Sequence, residues 1–204
     1  MKDDCQDVPS GCSVIEQSLC GSISAPVSRC HRCESALAAH FEIVNEGEVW
    51  AIDRSSVRVN RLLANSERLG ARCIQHLVAD SKELLLIHPE WKGYFHRILL
   101  DAPCSGLGTL SRHPDARWRM NLKNIEELVI LQNQLLMSLI PLLKNGGRLV
   151  YSTCTIHPDE NVHQIESFIK TYPEFTLTYE KQIWPGDSSS GDGFYVAVLD
   201  KVSI

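Results

Sequence analysis

The sequence predicts an α/β domain built on a mostly parallel sheet, and three observations carry that expectation. From Glu48 onward, short apolar runs alternate with segments of helical periodicity. That is the pattern of right-handed βαβ units whose sheet is covered on both faces. Three successive runs end in an acid, Asp53, Asp80 and Asp101. Two short cysteine motifs, Asp101-Ala-Pro-Cys104-Ser-Gly and Ser152-Thr-Cys154-Thr, each follow such a run. Strand C-terminal ends floor the crevice of an open α/β sheet, so two thiols and a carboxylate are expected to meet there.

Taken in order, residues 1–35 show little periodicity and read as an irregular leader, and Ala36 to Val44 reads as a helix packing under the sheet. Glu48 to Asp53 is a short buried strand. Ser55 to Leu69 places Val59, Leu62, Leu63 and Leu69 at helical spacing, with Gly70 as its stop. Cys73 to Asp80 is a second strand, after which Ser81 is suited to cap a short helical turn. Phe95 to Leu100 is the third strand. A polar stretch with Pro114 and Trp118 separates it from a long amphipathic helix, Asn121 to Leu143, which Lys144-Asn-Gly-Gly147 ends with turn chemistry. Leu149-Val-Tyr is the fourth strand. Another helix runs from Pro158 to about Tyr172. Thr176 to Ile183 and Phe194 to Leu199 are two closing strands with no helix between them, which suits antiparallel pairing; Pro185 to Gly193 is the loop.

The 204 residues, 44% hydrophobic and 22% charged, are enough for a domain with its own core. The expected division is a cysteine-rich leader, 1–35, and one catalytic unit, 36–204. No apolar run reaches the roughly 18 residues of a membrane span, and the acidic start, Met1-Lys-Asp-Asp, is unlike a secretory signal. A cytoplasmic protein is expected. Five of eight cysteines, Cys5, Cys12, Cys20, Cys30 and Cys33, lie in the leader. A reducing compartment argues against disulfides there. Cys30-His-Arg-Cys33 has the spacing of half a zinc site, but no second pair completes four ligands, so no metal is expected. Residues 1–50 carry the whole net charge of −5, leaving the remainder neutral. Any footprint for a polyanion must therefore be local. Arg112, Arg117, Arg119 and Lys123 form such a cluster, which reads equally as a solvated surface.

A strand-terminal carboxylate such as Asp53 can accept from both ribose hydroxyls of a nucleotide, or simply cap the next helix. Asp80 is equally ambiguous alone. A lone cysteine near a strand end is most often a small buried hydrophobe. Cys104 and Cys154 instead sit among Ser, Thr, Pro and Gly, where backbone N–H groups can favour a thiolate, the nucleophilic form.

At these residues the sequence resembles a known family. Asp101-Ala-Pro-Cys104-Ser-Gly, Arg112-His-Pro-Asp-Ala-Arg-Trp118, Ser152-Thr-Cys154-Thr-Ile-His-Pro-Asp-Glu-Asn161 and Asp192-Gly-Phe-Tyr195 together are similar to the Sun (Fmu) family of RNA cytosine-5 methyltransferases, in the bacterial branch acting on small-subunit ribosomal RNA. The similarity covers about Gly47 to Leu199. It implies a Rossmann-like class I methyltransferase sheet with an antiparallel closing strand, and S-adenosylmethionine as cofactor. It implies Cys154 as the nucleophile on carbon 6 of cytosine, Cys104 as the residue assisting release, and Asp101 near the base and the cofactor. Asp53 would hold the cofactor ribose and Asp80 its adenine side. Arg112, Arg117, Arg119 and Lys123 would hold RNA phosphates. His113 is expected to order its loop, and Asp159, Glu160 and Asn161 to favour a helix N-terminus.

One part of the family pattern is missing. The first strand and the Ala-Pro-Gly-Gly-Lys loop that follows it are absent or degraded: Ile23-Ser-Ala-Pro26-Val-Ser-Arg29-Cys stands there, and no glycine lies between Gly21 and Gly47. The modules that usually precede the domain are also missing. The alternative expectation is therefore a truncated gene product, an inactive remnant or RNA-interacting fragment that keeps the fold without binding cofactor.

Overall fold

The computed structural model describes residues 15–16, 48–186 and 191–202. The expected helix at 36–44, the Cys30/Cys33 pair and the Ile23–Cys30 segment lie outside them. The strands are β1 (Ile15–Glu16), β2 (Val49–Asp53), β3 (Ile74–Val78), β4 (Phe95–Asp101), β5 (Leu143–Thr153), β6 (Phe175–Ile183) and β7 (Phe194–Lys201). The helices are α1 (Ser56–Leu69), α2 (Leu84–Ile87), α3 (Ala116–Arg119), α4 (Leu122–Leu139) and α5 (Val162–Thr171).

Two ladders form, ordered β1-β2-β3 and β4-β5-β7-β6, and β1 approaches β4. β1 to β5 pair in parallel within their ladders; β7 runs antiparallel to both β5 and β6. This is the Rossmann-like arrangement with an antiparallel close. A first strand exists after all: Ile15 and Glu16 pair in parallel with Trp50 and Ala51 of β2. Two residues are too few to show the period-two alternation by which a strand is read from sequence.

Local chemistry explains the element ends. Gly70 closes α1 in the left-handed region (φ 69°), and the N–H groups of Gly70 and Ala71 return to Glu67 and Ser66. Two expectations need correction. Asp80, not Ser81, caps the short turn at 81–83, its carboxylate accepting from the Lys82 N–H at 3.0 Å; the Ser81 side chain is buried instead. Lys144 to Gly147 do not separate helix from strand. They lie inside β5, where register jumps from Phe95↔Leu143 to Arg97↔Arg148. The extra residues bulge out, and Gly146 (φ 73°) supplies the conformation the bulge needs.

The core lies between β4/β5 and the helices. Ile98 and Leu100 of β4, Leu149 of β5, Leu135, Leu136 and Leu139 of α4, and Ile165 and Phe168 of α5 are buried together. Each such side chain contributes about 1.5–3 kcal/mol. The segment Leu122–Leu142 is long and apolar enough to cross a bilayer. Ile125, Leu135, Leu136 and Leu139 form its buried face, while Leu122, Ile130 and Met137 are exposed.

Candidate functional site

Parallel pairing of β4 with β5 sets the site. The register Asp101↔Ser152 ends both strands at one level, and Ala102 N–H extends the ladder to the Ser152 carbonyl at 2.8 Å. The two motifs therefore leave the sheet side by side. Cys104 Sγ lies 3.4 Å from Cys154 Sγ; neither is in a disulfide, and both are partly exposed. Asp101, nearly buried, ends β4 three residues before Cys104. The two thiols meet directly, and Asp101 ends β4 beside them in sequence.

Both thiol loops are locked from outside. Gly108 N–H donates to the Cys154 carbonyl at 3.0 Å, and Gly193 N–H donates to the Gly108 carbonyl at 2.7 Å. A methyl group at Gly108 would sit 2.3 Å from the Gly193 oxygen and 2.8 Å from the Cys154 oxygen. Glycine is thus required at 108 because three backbone segments meet there.

Glu160 is expected from sequence to favour a helix N-terminus. Its side chain instead turns inward and is fully buried. Oε1 accepts from Ser105 N–H at 2.8 Å and Gln132 Nε2 at 3.1 Å; Oε2 accepts from the Ser105 hydroxyl at 2.5 Å, with the Thr155 hydroxyl at 3.1 Å. Asn161 acts similarly, accepting from the Thr153 hydroxyl at 2.6 Å and donating to the Thr155 carbonyl at 3.0 Å. The Tyr151 hydroxyl donates to the Glu160 carbonyl at 2.7 Å. Burial first, and then electrostatic interaction with Cys104, Glu160, Tyr195 and Asp101, push the Tyr151 phenol well above its usual range. Tyr195 is raised too, by burial and by its hydrogen bond to Glu180. Both phenols stay neutral and serve as donors.

Asp53 and Asp80 stand at the C-terminal ends of the neighbouring strands β2 and β3. Arg58 grips the Asp53 carboxylate with two bonds, Nη2 to Oδ1 at 2.6 Å and Nε to Oδ2 at 2.7 Å, and Ser55 N–H adds a third to Oδ1 at 2.7 Å. Those bonds fix its orientation and leave Oδ2 able to accept again. Asp80 faces Arg54 at 3.8 Å and Lys82 at 3.9 Å.

The basic cluster divides. Arg112 pairs with Asp192, which also accepts from the Ser111 hydroxyl at 3.0 Å. That ties the cluster to the 191–193 segment beside Gly108. Arg117 is exposed, and Lys123 is exposed with Glu127 at 4.0 Å. Arg119 closes α3. Trp118 is 89% exposed, the largest value among the described large hydrophobic side chains. The His113 carbonyl accepts from Ala116 N–H at 3.1 Å. Sequence reasoning missed Glu160, Asn161, Gly108 and the Arg112–Asp192 tie. The quoted motifs contain Arg112, Glu160, Asn161 and Asp192, but nothing in a string tells an inward side chain from an outward one. Among the described residues no group of three or more His, Cys, Asp or Glu is placed to hold a metal.

The family described as 16S rRNA methyltransferase RsmB/F matches residues 35–200. Ribosomal RNA small subunit methyltransferase B of Photorhabdus laumondii is 41% identical over 171 residues, 79% of this chain and 38% of that protein. Its namesake from Citrobacter koseri is 40% identical over the same shares. The chain therefore spans well under half the length of these relatives. Among solved structures, PH0851 superposes with a TM-score of 0.77 at 32% identity, covering 94% of this chain and 43% of that one. NSun6 from Pyrococcus horikoshii with SFG superposes with a TM-score of 0.72 at 28% identity, covering 94% and 48%.

Proposed function

The chain belongs to the RsmB/F family of 16S rRNA methyltransferases, and we propose that it methylates carbon 5 of a cytosine in RNA, with 16S ribosomal RNA in the cytoplasm as the substrate. Residues 36–204 are the catalytic portion, joined in its sheet by β1 (Ile15–Glu16). The observation that carries the reading is the 3.4 Å approach of Cys104 to Cys154 at the ends of adjacent parallel strands.

An isolated thiol is only a few per cent ionised at neutral pH, with a pKa of about 8.5. At 3.4 Å either thiol can donate to the other; a Cys104 S–H donating to Cys154 would favour the Cys154 thiolate. That thiolate bonds to carbon 6 of the cytosine, and the displaced ring electrons make carbon 5 nucleophilic. When bound, S-adenosylmethionine supplies an electrophilic methyl group. Asp53 would hold its ribose and Asp80 the adenine side; Asp101 would lie near the base and the cofactor. After carbon 5 has been methylated, Cys104, having released its own proton to water, takes the carbon 5 proton. The carbon 5–carbon 6 double bond reforms, and the Cys154–carbon bond breaks to return the thiolate. The target base leaves its stack to reach this site. Arg112, Arg117, Arg119 and Lys123 hold the flanking phosphates, and the exposed face of Trp118 stacks against an unpaired base.

The test is transfer of labelled methyl to small-subunit ribosomal RNA, followed by nucleoside analysis. Label must appear as 5-methylcytidine and vanish in Cys154→Ser. Label in another nucleoside, or label that survives Cys154→Ser, refutes the assignment. A second reading, a fragment that keeps the fold without cofactor binding, is favoured by the lack of glycine between Gly21 and Gly47. It predicts no heat and no thermal shift with S-adenosylmethionine at millimolar concentration.

A further inference from the structure

The chemistry above gives Glu160 no task, yet it is the most completely buried acid of the site region, 0% exposed. Taking a carboxylate out of water is costly unless donors replace the lost hydration. Here the donors come from three segments. Ser105, the residue after Cys104, gives its N–H and its hydroxyl. Thr155, the residue after Cys154, brings its hydroxyl to 3.1 Å. Gln132 of α4 gives its amide, and the same nitrogen donates to the Pro103 carbonyl, on the other side of Cys104, at 2.8 Å. The Ser105 and Thr155 hydroxyls also touch each other at 2.8 Å. Each thiol therefore has a neighbour bonded to one shared carboxylate, although the two loops are fifty residues apart in sequence. A helix-capping role does not account for this. His157 caps the turn at 158–160, and the Glu160 oxygens face the loops rather than that turn's amides.

We infer that Glu160 is a positioning residue that fixes the approach of Cys104 to Cys154, and so sets the efficiency of the release step relative to attack. The statement about release rests on the proposed methyltransferase function; the statement about thiol approach does not. Glutamine at 160 preserves the bridge, because hydroxyls can turn to accept from its amide. Alanine removes it. Attack needs only Cys154, whereas release needs Cys104 within reach, so a loosened bridge stalls the reaction after the covalent bond has formed.

The experiment uses the full chain in two arms. In the first, diamide accepts the two thiol hydrogens and becomes the hydrazine, and peptide mass mapping follows the Cys104–Cys154 disulfide. The parent forms it readily. Glu160→Ala forms it about tenfold or more slowly, since displacements near 1 Å carry penalties of that order or larger; Glu160→Gln stays near the parent. In the second arm, with ribosomal RNA and cofactor, Glu160→Ala accumulates a protein–RNA adduct on denaturing gels, as Cys104→Ala does. If Glu160→Ala does not fold by circular dichroism, the double variant Ser105→Ala/Thr155→Ala replaces it and must slow pairing in the same way. Parent-like pairing in the variant that folds, equal slowing in Glu160→Gln, or failure of the parent to pair its thiols overturns the inference. If Cys104→Ala traps no adduct while the disulfide arm behaves as stated, the release role is wrong and the positioning of the thiols stands.

Discussion

Gly108→Ala is the most informative single perturbation of the scaffold around the thiols. The added carbon would lie 2.3 Å from the Gly193 oxygen, 2.8 Å from the Gly193 carbonyl carbon and 2.8 Å from the Cys154 oxygen. All three are backbone atoms, so no side-chain rotation relieves the contact. Ordinary carbon–oxygen contact is about 3.3 Å or more, which requires the loops to part by roughly 1 Å. That movement breaks Gly108 N–H to Cys154 O (3.0 Å) and Gly193 N–H to Gly108 O (2.7 Å). Each bond contributes about 0.5–1.5 kcal/mol net, and overpacking adds about 1–3 kcal/mol. The expected loss is about 4 kcal/mol, or about 10 °C in melting temperature for a chain of this size. Should the loop open locally instead, the strain falls on the Cys154 carbonyl, and methyl transfer drops about 100-fold. Thermal melting and single-turnover transfer together check the prediction. A variant melting within about 2 °C of the parent and reacting at the parent rate would refute the steric reasoning.

Three further outcomes are expected. Trp118→Ala should weaken RNA binding by about 1–3 kcal/mol, the usual worth of a base–aromatic stack, without moving the melting temperature; filter binding beside a melt decides. Arg117→Ala and Lys123→Ala should each reduce the slope of log affinity against log salt by about one, and an unchanged slope would mean that the phosphates run elsewhere. Arg148 bonds Asp200 across β5 and β7, Nε to Oδ1 at 2.7 Å and Nη2 to Oδ2 at 2.9 Å, and that contact holds the Asp200 carboxyl below its usual range. A depressed folded-state value means the stabilisation is complete above the ordinary carboxylate pKa and lost as pH falls through the depressed one. Asp200→Asn should therefore cost about 0.2–1 kcal/mol at neutral pH, as for a partly exposed pair. The difference from the parent should close below about pH 4 in denaturant melts.

Much of the sheet was legible because its signals are local. β2, β3 and β4 each show an apolar run and a terminal acid, Gly70 marks the end of α1, and the lack of a helix between β6 and β7 foretold their antiparallel pairing. The meeting of Cys104 and Cys154 followed from one rule about strand ends, and the geometry satisfies it. The unread parts are long-range. β1 is only two residues, below any periodic signal. The turn chemistry of Lys144 to Gly147 is real, but it serves a bulge within β5, because pairing with β4 starts at Leu143 and resumes at Arg148. Glu160 looked like a residue for a helix start, since acids favour that position. Its partners, Ser105 and Gln132, lie 55 and 28 residues away, and no string shows that distance closing. Gly108 likewise gains its meaning only when the 193 and 154 backbones arrive beside it.

The central claim is that the sulfur of residue 154 bonds transiently to a cytosine ring. Mass mapping of the RNA-linked peptide in Cys104→Ala, with cofactor present, addresses it directly. The account predicts a single nucleotide-bearing peptide modified at Cys154 and none when Cys154→Ser is added. Linkage through another residue, or no linkage in protein that binds S-adenosylmethionine and RNA, would contradict it.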